Sequence, residues 1–297
     1  MKKADKKLEI MRHSTSHLMA LAVLKLFPDV KFGIGPVTKD GFYYDFEFNQ
    51  PITENDLEKI EKKMKDLKEQ NLKFKKKEIT IDEAKELFKK LDQPYKLELL
   101  SDLEKYGTTK IDQQYNNITI KQYNNKVSIY QLEEFIDLCR GPHLKSTKEI
   151  GAFKLLKIAG AYWRGDEKNK MLTRIYGTVF PTEKELNEYL EKIKELEEKD
   201  HRALGKMLDL FSISPELGAG LILWHPKGAI IRKIIEDFWR EEHKKRGYQL
   251  VYSPHIGKID LWKRSGHWDF YQENLYPPVK IENEEYLLKP MNCPFHI

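Results

Sequence analysis

The sequence is poor in cysteine and has no long apolar run. Its 297 residues include two cysteines, Cys139 and Cys293, which are too far apart in the chain to suggest a disulfide framework. We therefore expect a reducing compartment, the cytoplasm. No stretch approaches the roughly 18 consecutive apolar residues of a transmembrane helix. Charged residues interrupt the segment after the N-terminal lysines, so we predict neither membrane insertion nor a signal peptide.

Arginine is also scarce, which makes each arginine informative. Nine of the 52 basic residues are Arg, and the formal net charge of +5 is compatible with nucleic-acid binding without requiring it. Planar guanidinium groups suit phosphate. Three arginines lie among Gly and aromatic residues, namely Arg140, Arg164 and Arg174. The chain has no arginine after Arg264.

The apolar pattern changes along the chain and predicts an α+β fold with helices and mixed or antiparallel sheets. Residues 7–27 have helical spacing, and Asp40-Gly41 before an aromatic run predicts a hairpin turn. We assign 1–180 to one α+β domain, 181–204 to a linker helix rich in Glu and Lys, and 205–297 to a second domain.

Local signals predict further elements in both domains. Asp82 is expected to cap a short helix over 82–91, and residues 116–138 to hold short strands. Pro226 is expected to open a long helix. The strand-forming run Tyr248–Tyr252 follows that helix.

Two pairs of residues with the same spacing carry the clearest chemistry, His13-x-x-x-His17 and Cys139-x-x-x-His143. A spacing of four places both histidines on one face of a helix, one turn apart. Gly141-Pro142 breaks regular structure, so we expect a rigid loop to hold the thiol and the third imidazole after a strand.

Three imidazoles and one thiol permit two kinds of site. Four N and S ligands can complete a tetrahedral zinc shell. The same groups can orient a water molecule, with a histidine as the acid or base near neutral pH. The residues alone leave both possibilities open. Asp137, two residues before Cys139 on the same side of a strand, could fix a histidine tautomer or bind a substrate amine.

Five sequence blocks occur in an order that resembles the editing domain of bacterial-type threonyl-tRNA synthetases. The editing domain of alanyl-tRNA synthetases also contains the His-x-x-x-His and Cys-x-x-x-His pairs. The blocks are Met11-Arg12-His13-Ser14-x-x-His17, Gly33-Ile34-Gly35-Pro36, Gly41-Phe42-Tyr43-Tyr44-Asp45, Asp137-Leu138-Cys139-Arg140-Gly141-Pro142-His143 and Ala159-Gly160-Ala161-Tyr162-Trp163-Arg164-Gly165-Asp166.

This resemblance implies hydrolysis of seryl-tRNA(Thr) without a required metal. A synthetic site for threonine cannot strongly reject serine, because the missing methyl group is worth roughly 1–3 kcal/mol, and a second site must remove the error. The positions that match the family's catalytic ones are His13, His17, Lys96, Asp137, Cys139 and His143. The positions that match substrate contacts are Tyr44 and Arg140, and Asp137 matches one as well.

The second domain resembles the start of a class II synthetase catalytic domain. Arg246-Gly247-Tyr248-x-x-Val251-x-x-Pro254 is similar to motif 1, which implies a homodimer interface. In Lys289-Pro290-Met291-Asn292-Cys293-Pro294 the cysteine corresponds to the first of three ligands to a zinc that binds threonine. The other ligands would lie beyond Ile297, and Phe295 stands where the family usually has Gly.

The lack of arginine after Arg264 bears on whether this chain can bind ATP. Motifs 2 and 3 each supply an Arg to ATP, so we expect an incomplete threonine–tRNA ligase. The full protein would use ATP, Mg²⁺, one zinc per subunit, threonine and tRNA(Thr), whereas this chain alone would only hydrolyse aminoacyl-tRNA esters. The alternatives are a stand-alone trans-editing deacylase, which residues 205–297 disfavour, and a non-catalytic RNA-binding or dimerisation module.

Overall fold

The computed structural model describes residues 3–108 and 125–296, which form two compact units, Met1–Glu197 and Glu198–Ile297. Both units combine helices with antiparallel sheets, which confirms the α+β class. The predicted domain boundaries at residues 180 and 204 stay a prediction. Within the described residues, no helix combines the length and apolar character needed to cross a bilayer.

The first unit contains two antiparallel sheets. One has the strand order β1-β2-β7-β6 and the other β3-β4-β5. The helices are α1 (Lys3–Leu26), α2 (Glu54–Glu69), α3 (Ile81–Lys90), α4 (Pro94–Tyr106) and α5 (Glu183–Glu198). The strands are β1 (Lys31–Phe32), β2 (Phe42–Glu47), β3 (Lys75–Thr80), β4 (Lys126–Leu132), β5 (Phe135–Leu138), β6 (Ala152–Tyr162) and β7 (Met171–Phe180).

Helix α1 is the centre of the larger core. Every residue from Ser14 to Val23 is buried, because α2 covers one side of the helix and the four-stranded sheet another. Small side chains such as Ala20 and Ala22 allow this close packing. The helix confirms the predicted one, and it ends before Pro28, which has no N–H to continue it. This packing buries His17 against Phe135 of β5, while His13, one turn earlier on the same face, stays partly exposed.

The smaller core lies under α3 and α4, beside the three-stranded sheet. The prediction that Asp82 caps α3 is wrong. Thr80 is the N-cap, since its hydroxyl accepts from Glu83 N–H while the Glu83 carboxylate accepts from Thr80 N–H. Helix α4 was not predicted from the pattern. Pro94 begins it and Gly107, at φ +68°, ends it, so that Lys96 faces inward from its first turn.

The hairpin turn at Asp40-Gly41 is confirmed by a bridge between Val37 and Phe42. The strands predicted in 116–138 are β4 and β5, and residues 109–124 of the surrounding segment lie outside the described residues.

The second unit has two small antiparallel sheets, β8-β9 and β10-β12-β11. Its helices are α6 (His201–Met207), α7 (Pro226–Lys245), α8 (Asp260–Arg264) and α9 (His267–Tyr271). Its strands are β8 (Phe211–Ile213), β9 (Ile222–Trp224), β10 (Ile256–Lys258), β11 (Val279–Ile281) and β12 (Glu284–Leu288). Pro226 opens α7 as predicted, but the strand predicted at Tyr248–Tyr252 is wrong. No strand among the described residues pairs with that exposed segment.

Candidate functional site

The structure brings both spaced pairs into one cluster. Helix α1 supplies His13 and His17, and the loop after β5 supplies Cys139 and His143. One ligand atom from each of the four lies within 4.8 Å of all the others. The sulfur of Cys139 is 3.3 Å from Nε2 of His13 and 3.3 Å from Nε2 of His143.

Backbone contacts hold the loop that carries the thiol. Cys139 N–H donates to Ser128 O at 3.1 Å, and the Ser128 hydroxyl donates to Cys139 O at 2.7 Å. Gly141 has φ +71°, and a Cβ there would lie 2.3 Å from the Tyr130 hydroxyl oxygen. Only glycine therefore suits this position without strain.

Aromatic rings fix the third imidazole. The His143 ring stacks on Phe74, with centroids 5.1 Å apart and planes 4° from parallel, and the edge of Tyr130 contacts it at 4.4 Å. Its centroid is 4.2 Å from those of His13 and His17. A positive charge on one ring therefore disfavours a positive charge on the others.

Desolvation keeps these groups uncharged near neutral pH. It lowers the pKa of His13 to about 4. It also lowers the pKa values of His17 and His143, and the neighbouring imidazoles lower them further. Burial, and then the charge of Asp137, raise the pKa of the Cys139 thiol. The cluster therefore offers imidazole lone pairs and a thiol, which suits binding of water or of a metal better than attack by a thiolate.

A second cluster surrounds the buried carboxylate of Asp137. The Tyr44 hydroxyl donates to Oδ2 at 2.7 Å, and His17 Nε2 lies 3.3 Å from the same oxygen. Lys96 Nζ lies 2.5 Å from Oδ1 as an ion pair. It directs hydrogen bonds to Gly33 O at 2.6 Å and to the Tyr44 hydroxyl at 3.2 Å. Asp137 thus connects the imidazole cluster to α4.

Both clusters face one cavity of about 330 Å³. This volume lies at the lower end of the range for small-molecule sites. Gly35, Pro36 and Val37 form a further wall. The predicted site residues that line the cavity are His13, His17, Lys96, Asp137, Cys139 and Arg140.

The other predicted residues lie elsewhere. Tyr44 is fully buried against Gly35 and does not line the cavity. Its hydroxyl contacts Asp137, which does. His143 contacts the Cys139 sulfur and is not among the residues that line the cavity. Cys293 is exposed in the second unit, and among the described residues it belongs to no group of three or more possible metal ligands.

Ser14 belongs to the first sequence block, between the two histidines, and the resemblance assigns it no role. The structure places its buried hydroxyl 3.2 Å from Nδ1 of His143. The only sequence signal was its position between the two histidines of α1.

One described family and several known proteins are similar to this chain. Residues 127–176 match the family described as "Threonyl and Alanyl tRNA synthetase second additional domain". The threonine–tRNA ligase of Dehalococcoides mccartyi is 53% identical over 290 residues, which are 98% of this chain and 46% of the relative. That of Borreliella burgdorferi is 51% identical over 288 residues, with 96% and 46% covered. The chain is similar to threonine–tRNA ligases along nearly its whole length. The predicted resemblance is confirmed.

The chain spans about half the length of these curated relatives, 46% in both cases. A solved structure, the RNA binding domain of threonyl-tRNA synthetase from Cryptosporidium parvum Iowa II, is 42% identical. The matched region covers 33% of this chain and 24% of the chain in that structure, with a TM-score of 0.31.

Proposed function

We propose that the cavity of the first unit hydrolyses the ester bond of seryl-tRNA(Thr), as the editing activity of a threonine–tRNA ligase. One observation carries this proposal. A neutral imidazole–thiol cluster and a buried Lys96–Asp137 pair line the same cavity. The match of residues 127–176 to the threonyl and alanyl additional domain supports the same reaction.

The chemistry requires a held water, a stabilised oxyanion and a proton for the leaving ribose oxygen. His13 and Cys139 line the cavity and would hold the water by hydrogen bonds. Because the pKa of His13 is about 4, its ring is neutral at neutral pH. It would take the proton that the attacking water loses and return that proton to the ribose oxygen as the ester bond breaks. The ammonium of Lys96, held by Asp137, would stabilise the developing negative charge.

The donor set also fits a metal ion. A tetrahedral zinc shell has ligand–ligand separations of about 3.6 Å, close to the sulfur–nitrogen distances of 3.3 Å. Nδ1 of His17 is buried without a hydrogen-bond partner among the described residues. His13, His17, Cys139 and His143 would hold the ion. Because these four side chains would fill its tetrahedral positions, the ion would make a water more acidic only by taking that water as a fifth ligand. We propose that hydrolysis does not require it.

The wider assignments are proposals as well. The full-length protein would attach threonine to tRNA(Thr) with ATP and Mg²⁺. It would bind a zinc ion through Cys293 and would be located in the cytoplasm. A homodimer through α7 is supported by its exposed apolar side chains, such as Ile234, Ile235 and Phe238, which are 63, 62 and 66% exposed. Similarity to the ligases also covers residues 205–297, which argues against a stand-alone deacylase.

The decisive experiment compares hydrolysis of Ser-tRNA(Thr) and Thr-tRNA(Thr) by the 297-residue chain. We expect rapid loss of serine, slow loss of threonine and no formation of Thr-tRNA from threonine and ATP. His13→Ala and Cys139→Ala should each abolish most of the hydrolysis. Equal rates in the unaltered chain and both variants would leave only an RNA-binding role.

A further inference from the structure

Ser14 occupies a position between α1 and the loop that carries His143. Its side chain is fully buried. Its oxygen lies 2.9 Å from Ile10 O, 2.9 Å from Leu144 N and 3.2 Å from Nδ1 of His143. One hydroxyl therefore contacts the helix of the first histidine pair, the backbone of the opposite loop and the third imidazole.

The hydrogen-bonding capacity of this hydroxyl is limited. A serine has one proton to donate and two lone pairs to accept with. Leu144 N–H can only donate, so it takes one lone pair of Ser14. The proton goes to Ile10 O, because this is the shorter of the two remaining contacts and the carbonyl four residues back is the usual acceptor of a helical serine. Nδ1 of His143 must then be a donor.

We propose that Ser14 is a positioning residue that holds His143 in the Nδ1–H tautomer, with Nε2 as an acceptor facing Cys139. The tautomer follows from the contacts of Ser14 alone. Its effect on the rate of hydrolysis rests on the proposed function.

The tautomer determines where the thiol proton points. With Nε2 of His143 unprotonated, Cys139 S–H donates to it across 3.3 Å, and the sulfur accepts Gly141 N–H at 3.2 Å. The neutral His13 ring, which lines the cavity, then keeps its single lone pair. In the opposite tautomer His143 would donate to the sulfur, and the thiol proton would turn to Nε2 of His13, 3.3 Å away, and occupy that lone pair.

The test combines nitrogen NMR with kinetics on the full 297-residue chain. With ¹⁵N-labelled histidine, and His143→Gln to assign the signal, we expect His143 to carry its proton on Nδ1. Ser14→Ala should give mixed tautomers and lower kcat for Ser-tRNA(Thr) hydrolysis about tenfold, with little change in KM. This loss is smaller than the roughly 10²–10⁴-fold contribution of a complete acid–base group. Ser14→Thr, which retains the hydroxyl, should restore the tautomer and most of kcat.

Thr15→Ala is the matched control. Thr15 is equally buried on α1 and donates to Met11 O at 2.8 Å, and within the described part of the chain it makes no hydrogen bond to an imidazole. The variant should lose comparable stability and keep both the His143 tautomer and kcat.

Two results would overturn the inference. One is an Nε2–H signal for His143 in the unaltered chain, a measurement that does not depend on the folding of any Ser14 variant. The other is a Ser14→Ala chain with unchanged tautomer and kcat. If the unaltered chain hydrolyses no aminoacyl-tRNA while His143 carries Nδ1–H, the proposed function fails and the assignment to Ser14 stands.

Discussion

The hydroxyl of Tyr44 donates a hydrogen bond to Asp137 across 2.7 Å, at the back wall of the cavity. Tyr44→Phe would remove one of the donors to this buried carboxylate. Loss of a hydrogen bond to a buried charged group costs about 1.5–3 kcal/mol. We expect the free energy of unfolding in urea to fall by that amount. Tyr162→Phe, at an exposed position at the end of β6, should change it little, and equal effects of both substitutions would contradict the role of Tyr44.

Lys96 and Asp137 form a buried pair, with their side chains 2% and 5% exposed. Lys96→Met would leave an uncompensated buried carboxylate and should destabilise the chain by about 3–5 kcal/mol. Adding Asp137→Asn removes the second charge and should recover a large part of this loss, as measured by urea denaturation. Hydrolysis of Ser-tRNA(Thr) should remain absent in the double variant. A double variant no more stable than Lys96→Met would show that the pair is not energetically coupled.

The three imidazoles make stability depend on pH. Desolvation lowers the pKa of His13 to about 4, and those of His17 and His143 also lie below the ordinary 6.5. As the pH falls below 6.5, the histidines of the unfolded chain bind protons before those of the folded chain. The free energy of unfolding is therefore highest above pH 6.5 and decreases as the pH falls toward 4. Each ring contributes a slope of about 1.4 kcal/mol per pH unit.

Urea denaturation at several pH values from neutral to about 5 measures this slope. His13→Asn should flatten it by about one ring's contribution. His201→Gln, at an exposed position of α6, should leave it unchanged. A flat profile in the unaltered chain would mean that the rings are solvated.

Gly141 combines a positive φ with a contact that a side chain would block. Gly141→Ala should destabilise the fold by more than the roughly 1–3 kcal/mol typical of a strained backbone alone. Gly107→Ala is the matched control, since Gly107 has φ +68° and no atom of the described residues lies within 4 Å of the position that a methyl group would take. Urea denaturation of both variants separates the backbone cost from the collision with Tyr130. Equal destabilisation would show that Tyr130 moves aside freely.

Removal of metal tests how the cavity works. The proposed mechanism predicts that dialysis against a strong chelator leaves the rate of Ser-tRNA(Thr) hydrolysis within about twofold, because neutral imidazoles and the thiol can hold the water themselves. Cys293→Ala should behave like the unaltered chain. A rate that disappears on chelation and returns with zinc would assign the cluster of His13, His17, Cys139 and His143 to a metal centre.

The sequence predicted the parts of the site that depend on local periodicity. The spacing of His13 and His17 places both on one face of α1. Asp137 in β5 and Cys139, the first residue after this strand, line the same cavity, as their separation of two residues predicted. The equal spacing of the two pairs suggested one shared site, and the family motifs supported it, because spacing alone contains no information on contacts between distant residues. Their catalytic roles stay predictions.

Other features depend on tertiary contacts that a pattern does not contain. Helix α4 was missed, although Pro94 and Gly107 mark its ends, and with it the reason why Lys96 is buried. Thr80 rather than Asp82 caps α3, because Thr80 and Glu83 form two reciprocal hydrogen bonds between side chain and backbone. The segment Tyr248–Tyr252 has strand-forming residues, but a strand requires a neighbour to pair with.

The complete burial of α1 from Ser14 to Val23 limits how this chain can lose its chemistry. The helix that presents two imidazoles to the cavity is also the centre of the larger core, so most substitutions on it would reduce the amount of folded protein. The loop from Cys139 to His143 lies at the edge of that core. A genetic screen for variants that accumulate normally but no longer hydrolyse substrate should therefore recover changes of Cys139, Arg140 and His143 more often than changes of Ser14 to Val23.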